Sequence, residues 1–282
     1  MGLGGVGIDG TYPEVSKDLM LSKLSVLKDQ FTENYNPDIK VRVDRIKRLQ
    51  LLVEENMDSF HKALQSDFGS RHEQMSLLSD TLPVINNAKD ALKNIHKWMK
   101  PEKRRPNFPL GLLGAKAYIQ FQPYGVVGII SPWNFPLILS IAPLVEVLAA
   151  GNNAMMKLSE FVPATSELTE ELISKYFNEK EVVVINGGPK TSQEFSSLPF
   201  DHLLFTGSTA VARKVALSAA ENLVPLTLEL GGKSPSIISQ NAKIKKTVDQ
   251  IMTGKLLNSG QICISPDLSL IHISEPTRPL YI

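Results

Sequence analysis

The chain has 282 residues with 30 Lys+Arg against 29 Asp+Glu, a net charge of +1, and is 43% hydrophobic and 21% charged. This length allows one large or two modest domains, and the composition lies far from the low-hydrophobicity, high-charge range of disordered chains. A near-neutral balance argues against a nucleic-acid binder, which needs a basic face for phosphate contacts. The densest basic run, residues 97–105, reads as a solvated helix end and linker. One cysteine, Cys263, excludes an intramolecular disulfide and fits a reducing, cytoplasmic setting.

Residues 1–10 lack the basic flank and apolar stretch of an export signal. Gly2, Gly4 and Gly7 spell G-x-G-x-x-G but lack the preceding strand and following helix of a dinucleotide fingerprint, so residues 1–15 read as a flexible tail. Residues 15–100 are helical in pattern: Leu19, Leu24, Leu27 and Phe31 carry one helix, and Val43, Ile46, Leu49, Val53, Met57, Phe60 and Leu64 a second. A third helix, or a proline-broken pair, covers residues 75–98 with its kink at Pro83. After a proline-rich connector at 101–109, strands at 117–121, 125–130, 154–158, 181–185 and 202–205 alternate with helices at 136–150, 164–177 and 209–221. Such alternation implies parallel pairing in βαβ units. Residues 124–145 carry no charge and are long enough to cross a bilayer, but Pro132, Asn134, Pro136 and Pro143 interrupt them, so a buried strand, turn and helix is expected there.

Open parallel sheets bind ligands at the carboxyl ends of their strands. The residues found there are Ser131-Pro132-Trp133-Asn134, Lys157-Leu158-Ser159-Glu160, Asn186-Gly187-Gly188 and Thr206-Gly207-Ser208. Gly207-Ser208 between a strand and a helix offers free N–H groups and a positive dipole end to a pyrophosphate, unless Ser208 simply caps its helix. Lys157 and Glu160 suit the hydroxyls of a ribose, or form a solvated loop. Glu229, flanked by Leu228 and Leu230 and followed by Gly231-Gly232, reads as a general base with a raised pKa, or as an edge-strand glutamate facing solvent. Cys263 follows a glycine turn at the end of a helical run from residue 244, and is a working thiol or buried filler.

In combination, Pro132-Trp133-Asn134-Phe135-Pro136, Lys157-Leu158-Ser159-Glu160, Phe205-Thr206-Gly207-Ser208, Leu228-Glu229-Leu230-Gly231-Gly232-Lys233-Ser234-Pro235 and Gly260-Gln261-Ile262-Cys263 resemble the NAD(P)-dependent aldehyde dehydrogenase superfamily, in family order and spacing. The chain is most similar to the class 3-like branch and, within it, to coniferyl aldehyde dehydrogenases, through Ser66-Asp67-Phe68-Gly69 and Lys157-Leu158-Ser159-Glu160-Phe161.

The resemblance covers residues 19–267 and implies an α/β fold. A helical N-terminal part packs on a doubly wound, Rossmann-like dinucleotide domain (residues 16–232), followed by the start of a catalytic domain (residues 233–267). It implies that Cys263 attacks an aldehyde, aromatic such as coniferyl aldehyde or long-chain, forming a thiohemiacetal and then a thioester. Asn134 and the Cys263 N–H stabilise the oxyanion, and Glu229 activates the hydrolytic water. Lys157, Glu160, Trp133, Gly207 and Ser208 bind the cofactor, NAD with NADP as the alternative. Neither metal, nucleic acid nor membrane is implied, and the family is homo-oligomeric.

Two departures stand out. Leu158 replaces the family's proline, and residues 268–282 match nothing in the family, resembling a translated sequencing-adapter read-through. The catalytic domain is therefore expected to be truncated, with apolar faces uncovered, and the tail to be non-native. The alternative functions are an inactive fragment that still binds a dinucleotide, and a cysteine hydrolase pairing Cys263 with His61, His72, His96, His202 or His272.

Overall fold

A computed structural model describes residues 13–272; Gly2, Gly4, Gly7 and residues 273–282 lie outside the described residues. The three- and four-residue apolar steps of the N-terminal part fold as helices. α1 (Lys17–Glu33) starts at Ser16, whose hydroxyl accepts from the Leu19 N–H, and α2 (Ile39–Glu55) at Asp38, whose carboxylate accepts from the N–H groups of Lys40 and Val41. The run over residues 43–64 is divided at Asn56 into α2 and α3 (Met57–Phe68). The break expected at Pro83 comes earlier. After α4 (Glu73–Ser76), a π-helical turn (Leu77–Thr81) leads without a gap into α5 (Leu82–Trp98), and Pro83 follows directly on the π turn, where the regular hydrogen-bond ladder is already interrupted.

The basic run at 97–105 is solvated, but it is not only a linker. Its β1 (Glu102–Arg104) pairs antiparallel with β2 (Ala117–Ile119). β2 therefore stands apart from the parallel alternation expected of it: no crossover helix precedes it, and neither of its faces is buried.

The parallel sheet consists of β3 (Val126–Ile130), β4 (Asn153–Lys157), β5 (Val182–Ile185), β6 (His202–Gly207) and β7 (Leu226–Leu230), in the order β5-β4-β3-β6-β7. Crossovers run through α6 (Ile138–Ala149), α7 (Pro163–Tyr176), α8 (Pro189–Ser196) and α9 (Thr209–Ala220); of these α8 had no counterpart in the sequence reading. Successive strand residues point to opposite faces and feed two cores. Val127, Ile129, Ala154, Met156, Val182 and Val184 pack against α2, α5, α6 and α7. Val126, Ile130, Met155, Val183, Ile185, Leu203 and Phe205 pack against α1, α8 and α9. The apolar stretch at 124–145 is thus β3, a loop and α6, and among the described residues no helix is long and apolar enough to cross a membrane.

The N-terminal helices are joined to this sheet electrostatically. α6, α7 and α8 have no side-chain cap of their own. Instead, the Leu137 and Ile138 N–H groups donate to Asp80 (3.1 and 3.3 Å), those of Ala164 and Thr165 to Asp67 (2.9 and 2.8 Å), and those of Lys190 and Thr191 to Glu14 (3.2 and 2.6 Å). A carboxylate at a helix N-terminus satisfies orphan donors and meets the positive end of the dipole. The Glu14 contacts, with the Val15 N–H donating to Thr191 Oγ1 at 2.8 Å, fasten residues 14 and 15 at the end of the stretch read as a flexible tail.

Beyond β7 come β8 (Pro235–Ile238), α10 (Ile244–Leu256), a 3₁₀ turn (Leu257–Gly260) and β9 (Leu268–Ile271). β8 and β9 form a two-stranded parallel sheet, so residues 268–271, at the start of the stretch expected to be a non-native tail, are paired backbone. α10 buries none of its side chains, and Ile244, Val248, Met252 and Leu256 form an exposed stripe at four-residue spacing.

Candidate active site

The strand order reverses between β3 and β6: the chain moves outward from β3 through β4 to β5, then returns to lay β6 along the other side of β3. Such a switch point opens a crevice at the carboxyl ends of the two strands. The loop carrying Trp133 and Asn134 leaves β3 there, and Gly207 ends β6 there.

Cys263 reaches this edge through an unusual turn. Asn258 (φ 47°), Ser259 (φ 55°) and Gly260 (φ 78°) are consecutively left-handed, a conformation free of penalty only for glycine. Two reciprocal hydrogen bonds hold it. The buried Asn258 side chain donates through Nδ2 to the Asn134 carbonyl at 3.0 Å, and Asn134 Nδ2 donates to the Gln261 carbonyl at 2.9 Å. The Asn134 loop and the cysteine turn are thus laced together, with Cys263 exposed two residues further on. Exposure removes the filler reading of the thiol.

Behind this junction lies a buried ion pair. Arg71 Nη2 meets Asp80 Oδ2 at 2.7 Å, with side-chain exposures of 2% and 0%. Arg71 Nη1 donates to the Asn134 carbonyl at 3.2 Å, and its guanidinium covers the rings of Phe68 (4.6 Å) and Phe135 (5.0 Å). Phe68 in turn lies 6.4 Å from the half-exposed Trp133 ring. Burial pushes the Asp80 carboxyl up, against the pull of Arg71 and of the Ile138 and Leu137 N–H groups. Asp80 therefore fixes the start of α6, while Arg71 fixes the Asn134 carbonyl.

Lys157 is 1% exposed, so the solvated-loop reading fails for it. Its Nζ donates to the Leu158 carbonyl and lies 3.5 Å from Glu160 Oε2. Burial pushes the Lys157 ammonium down, opposed by Glu160 and Glu14. Ser208 caps α9, its Oγ accepting from the Val211 N–H at 3.3 Å. Gly207 has a steric cause: a Cβ there would lie 2.6 Å from the Phe205 ring.

Glu229 sits on β7, the edge strand, and is exposed. The apolar enclosure expected around its carboxyl is missing, and Leu228 beside it is itself exposed. Among the described residues no hydrogen bond or ion pair joins Glu229 to the cysteine turn, and none joins Cys263 to a histidine. His61 instead meets Thr81, His202 meets Thr227, and His72 caps α4.

Arg71, Asp80 and Asn258 escaped the sequence reading as site residues. Asn-Ser-Gly ahead of the cysteine was the available signal for a left-handed turn, and Asp80-Thr81-Leu82-Pro83 for a helix start. Nothing local pairs Arg71 with either. A second edge of the sheet is also hollow: a cavity of about 600 Å³ lined by Tyr124, Val127, Ala142 and His202 lies at the amino ends of β3 and β6, away from Cys263.

The family model described as the aldehyde dehydrogenase family matches residues 11–276. A probable coniferyl aldehyde dehydrogenase of Caulobacter vibrioides is 51% identical over 83% of this chain and 48% of its own length. A substrate-bound structure of Staphylococcus aureus AldH superposes with a TM-score of 0.85 and 35% identity, over 90% of this chain and 55% of the other. A Mycobacterium tuberculosis aldehyde dehydrogenase complexed with NAD+ gives a TM-score of 0.78 and 26% identity, over 90% and 52%. The chain spans about half the length of the curated relatives it matches. A matched order of motifs, a doubly wound sheet with its switch point, and a family match over all of the described residues lead to one conclusion: the chain belongs to the aldehyde dehydrogenase family.

Proposed function

We propose that the chain carries the dinucleotide-binding domain (residues 16–232) and the nucleophile-bearing start of the catalytic domain (residues 233–267) of an enzyme that oxidises an aldehyde to its carboxylic acid with NAD(P). The observation that carries this reading is the lacing of the Asn134 loop to the Cys263 turn at the switch point.

The residues at that edge fit a dinucleotide. Lys157 and Glu160 offer a donor and an acceptor to ribose hydroxyls, and the carboxylate, which repels a 2′-phosphate, favours NAD over NADP. Trp133, Gly207, Ser208 and the first N–H groups of α9 line the approach of a pyrophosphate. When bound, the dinucleotide supplies the hydride acceptor. The chain's own residues do the rest. Cys263 Sγ adds as thiolate to the aldehyde carbonyl carbon, giving a thiohemiacetal whose oxyanion is met by the Cys263 N–H and by the Asn134 amide proton not engaged by Gln261. Oxidation at that carbon leaves a thioester, and the solvent-facing Glu229 takes the proton of the water that opens it. The name of the Caulobacter relative makes coniferyl aldehyde the first substrate to try.

The test is NADH absorbance from the 282-residue chain with NAD and coniferyl aldehyde, beside Cys263→Ala. Turnover that persists in the Ala variant refutes the nucleophile assignment, and Asn134→Ala is expected to cost about 10²–10³ in rate. A second reading, dinucleotide binding without turnover, is favoured by the bare apolar stripe on α10 and the two-stranded β8–β9 sheet. It expects NAD to raise the melting temperature with no NADH formed.

A further inference from the structure

Away from the crevice, α3 and α4 bring one imidazole and two carboxylates together. Asp58 and His61 lie three residues apart on α3, and Glu73 opens α4. One ligand-type atom from each lies within 4.8 Å of the other two. Asp58 and Glu73 are exposed, whereas His61 is 7% exposed.

The contacts around His61 distinguish its two ring nitrogens. Nε2 meets Thr81 Oγ1 at 3.2 Å, and that hydroxyl donates to the Leu77 carbonyl at 3.4 Å. A hydroxyl whose proton is directed there accepts from Nε2, and in that tautomer Nε2 carries the imidazole hydrogen and Nδ1 holds a lone pair. Nδ1 is buried and has no hydrogen-bond partner. It points instead at Glu73 Oε1, 3.6 Å away. A lone pair aimed at anionic oxygens is repulsive unless a proton or a metal cation lies between them. The separation is too long for a hydrogen bond. It is close to the roughly 3.4 Å edge of a tetrahedron built on metal–ligand bonds of about 2.0–2.2 Å.

We propose that Asp58, His61 and Glu73 form a binding site for a divalent transition-metal ion of the Zn²⁺ class, with water completing the coordination. An imidazole with two carboxylates suits zinc, whereas magnesium and calcium prefer oxygen alone. The Nε2–Thr81 contact is the outer bond that orients a ligating histidine. A bound ion would cross-link α3 to α4 directly ahead of the π-helical turn that carries Asp80 and Thr81.

The test uses the untagged 282-residue chain with Cys263→Ser, which removes the one competing thiol. Zn²⁺ binding is measured by calorimetry, and Co²⁺ by its visible absorption. One equivalent of Zn²⁺ is expected, undisturbed by excess Mg²⁺, with the Co²⁺ band lost and affinity reduced about tenfold or more in Glu73→Gln and in Asp58→Asn. Both carboxylates are exposed, so these variants fold even where His61→Ala fails. Absence of stoichiometric uptake, which a simple His61–Glu73 ion pair would give, overturns the proposal. So does uptake unchanged in the two carboxylate variants.

Discussion

Replacing Asp80 by Ala tests the device that aligns the Asn134 loop. The substitution strands Arg71, whose side chain is 2% exposed, without its partner at 2.7 Å, and orphans the Leu137 and Ile138 N–H groups at the start of α6. Breaking a buried ion pair from one side costs about 3–5 kcal/mol, and these N–H groups add to the loss without summing simply. For a chain of this size, at about 2–4 °C per kcal/mol, Tm should fall by about 6–20 °C. Circular dichroism melts measure this. Trp133 fluorescence in a Trp98→Phe background should report the loop itself, because the Trp133 ring lies 6.4 Å from Phe68, beneath which Arg71 is stacked. The double variant Arg71→Met/Asp80→Leu removes both charges and should recover much of the stability, since apolar replacement of a buried pair is often neutral. Its Trp133 signal should stay altered, because nothing then holds the Asn134 carbonyl from that side. A single-variant loss under about 1 kcal/mol, or a double variant no better than the single, would refute the reasoning.

Three further outcomes follow from the geometry. Burial alone would raise the Glu181 carboxyl, but Arg48 and Arg45, with Nη2 and Nε each 2.9 Å from Oε1, outweigh it and hold the group below its ordinary 4.5. A depressed folded value means stability present above pH 4.5 and lost as pH falls through the folded value, so Glu181→Gln should flatten the acid limb of urea stability; an unchanged slope counts against the pairing. Asn258→Ala removes the bond to the Asn134 carbonyl and forces alanine into a left-handed turn, whereas Asn258→Gly loses only the bond. The Ala variant should therefore be less stable than the Gly variant by about 1–2 kcal/mol, and equal stability would show that the turn relaxes. Gly207→Ala drives a Cβ to within 2.6 Å of the buried Phe205 ring, which should cost about 1–3 kcal/mol and weaken NAD binding; an unshifted melt rejects the steric account.

Elements whose apolar spacing is their own signal were legible. β3, β4 and β6 are short β-branched or apolar runs between turn residues, and they form where residues 125–130, 154–158 and 202–205 indicated, within a residue or two. What escaped was set by partners far along the chain. α8 opens with Pro189 and has a weakly apolar sequence, and its N-terminus is closed by Glu14, 177 positions from Thr191. The break before α5 is a π turn rather than a kink at Pro83, because Asp80 and Thr81 must turn inward to reach Leu137 and His61. β2 reads like any other short apolar strand, and only its exposed faces tell it from the strands of the sheet.

The site divides along the same line. Ser208 caps its own helix from three residues away, and Gly207 is dictated by Phe205 two residues before it, so this part of the crevice is written in one local segment. The Asn134 loop is different. Its carbonyl takes bonds from Arg71 on one side and Asn258 on the other, and its amide answers to Gln261, so its geometry exists only once three distant segments have met. A local motif can therefore announce Asn134 and Cys263 as residues of interest without showing what aligns them. This also separates the two proposed functions physically. Perturbing Asp80 acts on the loop that carries the proposed oxyanion donor, Asn134, while the cap and close packing of α9 remain intact. On the proposed function, loss of thiol chemistry with dinucleotide binding weakened only through Trp133 is thus the signature of a fault in the Arg71–Asp80 support, and loss of both is the signature of a fault in the sheet beneath it.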